Sequence, residues 1–258
     1  MYLFAGARLL LSIGSAAEPP LVYATNGSGV FGHKATPKLP WCEYVVHDPD
    51  RPAPPRVDPG PALPPAPVPA DAIVLFDGKD MSLWESNSYR IIDGALEAGG
   101  NVSPRTKESF ASFQLHLEWM APAGFEGPWY NRGNNGVVIH GAYEIQIFDS
   151  FNEKWAPDGQ CAAIYGQTPP LVNVCRPPGE WQSYDMVFTA PVIETGKIVQ
   201  PPRLTLFHNG VLVHHHQEIF GGTSHLRLPR PVKVSRGPVA LGGHGCPVRF
   251  RNIWIRKL

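Results

Sequence analysis

A block of lysine and arginine, a long apolar run beyond the first twenty residues, a helical stripe and a closely spaced cysteine pair are all missing from this chain, and each absence removes a class of function. Basic and acidic residues balance at 22 each and only 17% of the 258 residues are charged, so nothing forms an electrostatic footprint for nucleic acid or an anionic membrane. A neutral small molecule such as a sugar suits this surface better. Nothing after the opening stretch approaches the ~20 consecutive apolar residues of a membrane-spanning helix. Cys42, Cys161, Cys175 and Cys246 are too widely spaced for the paired-cysteine arms of a zinc site. Cys161 with Cys175 is the first pair to expect as a disulfide if the protein is exported, four buried thiols being the other reading. Export itself is suggested by the opening MYLFAGARLLLSIGSAAEPP, whose apolar run ends in Ser15-Ala16-Ala17 like the small-residue cleavage site of a signal peptide. Residues 1–17 are therefore expected to be a signal peptide and the protein to be secreted or periplasmic.

What the chain does have is proline and short apolar runs. Ten of its 29 prolines fall between Pro49 and Pro69, where missing amides and fixed φ favour extended polyproline geometry. Before them, Trp41, Tyr44 and Val45 give the N-terminal segment enough apolar surface to dock as an arm. Residues 18–70 thus read as an extended arm and proline-rich linker. From Asp71 to Leu258, short alternating runs such as YRIIDGALEA, FASFQLHLEWMA, AYEIQIFD and VRFRNIWIRKL are punctuated by turn residues, which predicts an all-β, two-sheet antiparallel jelly roll sandwich. Asn209-Gly210 is the pair that a type I′ turn needs at its two positive-φ positions, so 203–219 is predicted to be a hairpin. The stretch 150–180, rich in Gly and Pro, is expected to overlie one face as loops.

The strand HGAYEIQIFDS, residues 140–150, carries the candidate chemistry. Alternation puts Glu144, Gln146 and Phe148 on one face and Tyr143, Ile145, Ile147 and Asp149 on the other. The isoleucines belong to the core, which leaves Glu144 and Gln146 pointing outward beside the turn-rich RGNNG just upstream; outward means either a concave functional face or an ordinary solvated one. The strand is similar to the signature of laminarinase- and lichenase-type endo-glucanases, in which a second Glu follows Glu-Ile-Asp-Ile. Here Gln146 replaces the middle Asp, and the second carboxylate could only be Asp149, brought round by a β-bulge. Retaining hydrolysis needs carboxyl groups ~5 to 5.5 Å apart, so that reading is strained.

A wider resemblance runs from about Gly32 to Leu258. LFDGKDMSLWE, YRIIDGALEA, RGNNGVVIHGAYEIQIFDS, AAIYG, PPGEWQSYDMVFTA, RLTLFHNGVLV and GHGCPVRFRNIWIRKL stand in the order and character of the 3-keto-disaccharide hydrolase domain family. TPKLPWCEYVVHDPDRPAPP looks like the lead-in of a secreted bacterial branch. The resemblance implies a concanavalin A-like jelly roll and a glycoside already oxidised to a ketone at sugar carbon 3. Such a ketone acidifies the neighbouring C2 proton, so one base suffices for an elimination that expels the C1 oxygen, followed by water addition.

On this reading the base is Glu144 or His140, the latter at a strand end where an imidazole could shuttle protons. Arg132, Gln146 and the Asn134 and Asn135 amides could hold the enolate or sugar hydroxyls, and Asp149 could orient a neighbour. His244 resembles the family's late His-Gly pair, while Tyr165 and Trp155 could stack on a pyranose ring. Each has a blander account: a turn rich in Asn and Gly, a structural histidine, a cover for the core. Histidines 214–216 would be split by strand alternation, leaving at most two ligands on one face without a carboxylate complement. No metal or cofactor is called for. The alternatives are a non-catalytic carbohydrate-binding jelly roll and a retaining glucanase using Glu144 and Asp149.

Overall fold

A computed structural model describes residues 18–62, 64–100 and 102–258; the expected signal peptide, 1–17, lies outside them. The strands in chain order are β1 (Leu21–Tyr23), β2 (Phe31–His33), β3 (Ile73–Phe76), β4 (Arg90–Ile92), β5 (Ala95–Glu97), β6 (Phe113–Met120), β7 (Asn135–Ile139), β8 (Tyr143–Ile147), β9 (Gln182–Thr189), β10 (Val192–Glu194), β11 (Lys197–Gln200), β12 (Arg203–His208), β13 (Val211–Glu218), β14 (Val239–Gly243) and β15 (Arg249–Lys257). Helical structure among the described residues is limited to two 3-10 turns, Trp129–Asn131 and Pro157–Gly159. The fold is the antiparallel, all-β jelly roll read from the sequence.

The larger sheet runs β13-β12-β9-β6-β15-β5-β4, with β3 also paired to β15, and the smaller runs β14-β7-β8. Alternation explains which side of each is dry. Leu115, Leu117 and Trp119 of β6 and Tyr184, Met186 and Phe188 of β9 are buried and meet Val137, Ile139, Ile145, Ile147 and Leu241 of the small sheet. Each such side chain contributes roughly 1.5–3 kcal/mol by leaving water. The intervening residues of β6 and β9 carry His116, Glu118 and Asp185 to the opposite face. There His116 Nδ1 lies 2.6 Å from Asp185 Oδ1, and Arg251 Nε donates to Glu118 Oε2 at 2.6 Å.

The predicted hairpin is β12–β13, turned by Asn209 at φ 52° and Gly210 at φ 79°. A register shift near His216, itself at φ 49°, breaks the expected alternation of the three histidines. His214 is buried, and its Nε2 lies 2.9 Å from the Ala162 carbonyl. All four cysteines are unlinked; Cys161 lies 3.0 Å from the Tyr184 hydroxyl rather than in a disulfide.

The N-terminal arm docks, and closely. Trp41 stacks on Phe220 with centroids 3.9 Å apart, and Val46 is fully buried. His47 donates its backbone N–H to one oxygen of the buried Asp158 and sets its ring Nδ1 against the other, both at 3.0 Å. The proline-rich segment then crosses the outer face of the larger sheet, where Arg176 donates to the Pro61 carbonyl and Asn252 to that of Ala66, both at 3.0 Å.

Candidate active site

The outer face of the small sheet is the floor of a cavity of about 860 Å³. Strand parity puts Glu144 and Gln146 of β8 on that face, and pairing sets Val138 opposite Glu144 and Gly136 opposite Gln146. Next along, Gly242 of β14 pairs with Gly136, so the floor beside Glu144 is nearly free of side chains. Gly136 leaves room for the carboxylate to lie across it, since a Cβ there would come within 2.5 Å of Glu144 Oε1. Walls come from three loop regions and the β1–β2 hairpin, with Trp129, Tyr130, Trp155, Tyr165, Thr223 and His225 among the lining residues.

Glu144 and Gln146 both leave polar groups open in this cavity. The Glu144 carboxyl accepts no hydrogen bond from the described residues; burial alone pushes its pKa from 4.5 to about 7. Its backbone is fixed nonetheless, the N–H donating to Thr223 Oγ1 at 2.9 Å and the carbonyl accepting from Tyr165 N–H at 3.1 Å. Gln146 Oε1 is likewise buried without a partner. An unsatisfied buried polar atom costs roughly 1–3 kcal/mol, which a bound polyol would relieve by donating to it. Tyr165 sets its hydroxyl 2.9 Å from His225 Nδ1, and burial raises the pKa of the phenol and lowers that of the imidazole.

The sequence-predicted residues divide sharply. Glu144, Gln146, Asn134, Tyr165, Trp155 and His244 all line the cavity. Trp155 serves as wall more than as stacking platform, being 3% exposed and packed on Trp129 with centroids 4.6 Å apart; the half-exposed Trp129 and exposed Tyr130 offer the open aromatic faces. Four residues do not join the group. Arg132 is turned away and paired with Glu153 at 3.0 Å. Asn135 sits on the core side of β7, buried, with Nδ2 donating to the Tyr89 hydroxyl at 3.2 Å, because parity gives its neighbours 134 and 136 the cavity side. His140 and Gly141 form the β7–β8 turn at φ 56° and 66°. The His140 ring packs on Phe188, centroids 4.9 Å apart, with Nε2 3.2 Å from the Ala111 carbonyl. Asp149 caps a turn, accepting from the backbone N–H groups of Phe151 and Asn152 at 3.2 and 3.1 Å. The β7–β8 register is unbroken, so no bulge carries Asp149 round to Glu144, and the two-carboxylate glucanase geometry is not formed.

The sequence reading missed Glu18, Pro19, Leu21, His33, Trp129, Tyr130, Thr223 and His225. Each reaches the cavity from a loop or from the N-terminal hairpin, where no periodicity signals direction.

Residues 71–256 match the model of the 3-keto-alpha-glucoside-1,2-lyase-like domain. Among solved structures, the chain is similar to a "putative glycosyl hydrolase" from Parabacteroides distasonis ATCC 8503, with 40% identity over 81% of this chain and 93% of that one and a TM-score of 0.73. A second protein so described from the same organism shares 25% identity over 72% of this chain and 99% of that one, with a TM-score of 0.53. Curated proteins return no match.

Proposed function

The chain belongs to the 3-keto-alpha-glucoside-1,2-lyase-like family, and from that premise we propose that it cleaves 3-keto-glycosides by elimination followed by hydration, with Glu144 as the base. The observation that carries this reading is the Glu144 carboxyl, unbonded by any described residue and held over Gly136 with its pKa pushed up to about 7 by burial. A general base works best when its pKa lies near the working pH. The other carboxyl lining the cavity, Glu18, is exposed and lies 3.7 Å from His225 Nε2, and a single desolvated base is enough to remove a proton already acidified by a ketone.

In the proposed cycle, the Glu144 carboxylate takes the proton from C2. The C2–H electrons form the C1=C2 bond as the C1–O bond breaks, and the 3-keto oxygen carries the negative charge that develops on the way. The Gln146 and Asn134 amides are suited to hold that oxygen and the flanking hydroxyls. The departing alcohol receives its proton from the Tyr165–His225 side, supported by the 2.9 Å contact between them. Water then adds at C1 and a proton returns to C2, releasing a 3-keto-hexose. The ligand is a small carbohydrate, and no step calls on a metal or cofactor. The apolar opening that ends in Ser15-Ala16-Ala17 supports export to a bacterial periplasm or beyond.

A panel of oxidised and unoxidised disaccharides tests it. Free sugar should appear from 3-keto-trehalose or a 3-keto-glucoside and not from trehalose or β-glucans, and Glu144→Gln should abolish that release. Saturable binding of sugars without turnover of any 3-keto substrate would instead mark a carbohydrate-binding module.

A further inference from the structure

We propose that His33 is a substrate-contacting residue of this cleft: its Nε2 accepts a hydrogen bond from a sugar hydroxyl, so the N-terminal hairpin, outside the family-matched residues 71–256, is part of the working site. The inference rests on the carbohydrate reading of the cavity and adds a contact to it. His33, at the end of β2, is 5% exposed and lines the same cavity as Glu144. Its Nδ1 lies 3.2 Å from the Pro20 carbonyl. A carbonyl can only accept, so the ring proton sits on Nδ1 and the lone pair on Nε2. The Pro20 contact is the ring's one hydrogen bond of good geometry among the described residues, the nearby Pro19 carbonyl also acting to raise its pKa. Burial lowers the pKa of the imidazole, which keeps that lone pair free at neutral pH.

The ring is also held to one place, as a recognition group must be. His33 N–H donates to the His47 carbonyl at 2.8 Å and Phe31 N–H to that of Lys154 at 3.0 Å. Phe31 wedges between Trp129 and Trp155, centroids 4.7 and 5.5 Å away. Gly32 permits the approach, since a Cβ there would fall 2.2 Å from the His47 carbonyl oxygen. His47 is in turn fastened to Asp158.

Two substitutions separate these roles. An Asn amide nitrogen overlays Nδ1 and keeps the Pro20 contact; a Gln amide reaches the Nε2 position and keeps the cavity contact. His33→Asn should leave the melting temperature near wild type yet lower kcat/KM on 3-keto-trehalose roughly tenfold, the scale of one lost hydrogen bond, while His33→Gln recovers most of it. Wild-type kcat/KM in His33→Asn, or full activity in Asn with loss in Gln, would overturn the assignment and leave the reaction standing. Were the wild type inactive on every 3-keto-glycoside, the reaction would fall separately, and tryptophan fluorescence titrated with trehalose would decide His33: about tenfold weaker binding in His33→Asn supports it. Equal binding, or none even by wild type, refutes it.

Discussion

Glu144→Gln should make the protein more stable, and by an amount that depends on pH. Burial lifts the Glu144 carboxyl from 4.5 to about 7, and no hydrogen bond from the described residues offsets it. At 1.36 kcal/mol per pKa unit, that rise corresponds to about 3 kcal/mol. The folded state holds the proton more tightly than the unfolded chain, so this contribution to stability is fully present below pH 4.5, is lost progressively as pH rises, and is gone above about 7. Glutamine has the shape of the protonated acid and never ionises. The side chain is half-buried and its open surface faces the cavity, where water screens part of the charge. The variant should therefore match wild type at pH 4 and exceed it by about 2 kcal/mol at pH 8, or roughly 4–8 °C in melting temperature for a chain of this length. Thermal and urea unfolding at pH 4, 6 and 8 measure it. A gain of equal size at every pH, or a variant less stable at pH 8, would refute the desolvated carboxylate and with it the tuned base.

Gly136→Ala should displace the Glu144 carboxylate, since the new Cβ would meet Oε1 at 2.5 Å; kcat should fall more than 10-fold with circular dichroism unchanged, and normal kcat would show the contact is not needed. On the far sheet, burial pulls the His116 pKa down, but hydrogen bonds to Asp185 and Glu118 more than offset this and hold it at about 9. That stabilisation is complete below pH 6.5 and lost as pH rises through about 9, so Asp185→Asn should cost about 1–3 kcal/mol at pH 6 and much less at pH 10 by urea unfolding. Asp158→Asn leaves His47 without its buried carboxylate, and limited proteolysis should then cut within residues 18–48 while the jelly roll stays intact; an uncut arm would show that its apolar contacts suffice.

The sandwich was legible because alternation is a local property: Ile145 and Ile147 announce a core side and so place Glu144 and Gln146 opposite. Asn209-Gly210 announced its turn for the same reason. Parity applied to β7 would also have sent Asn135 to the core, but RGNNG read more readily as a rim loop than as the first residues of a strand. Arg132, His140 and Asp149 were misdirected by pairings that sequence does not display: Glu153, Phe188 and the Asn152 turn. His33 was invisible because hairpin docking through Phe31, Gly32 and His47–Asp158 brings a distant segment over the site, and His225 because its loop between β13 and β14 carries no periodicity. His214 was missed because a bulge shifts alternation without leaving a mark in the residue types.

The central claim is that the C2 proton leaves before the glycosidic bond is cut. Turnover of 3-keto-trehalose carrying deuterium at C2 tests it directly: release should be slower than from the unlabelled sugar, and the 3-keto-glucose formed from the labelled ring should carry solvent hydrogen at C2. Unslowed release with the label retained at C2 would contradict the account, for the bond would then have broken by displacement at C1 without Glu144 ever touching C2.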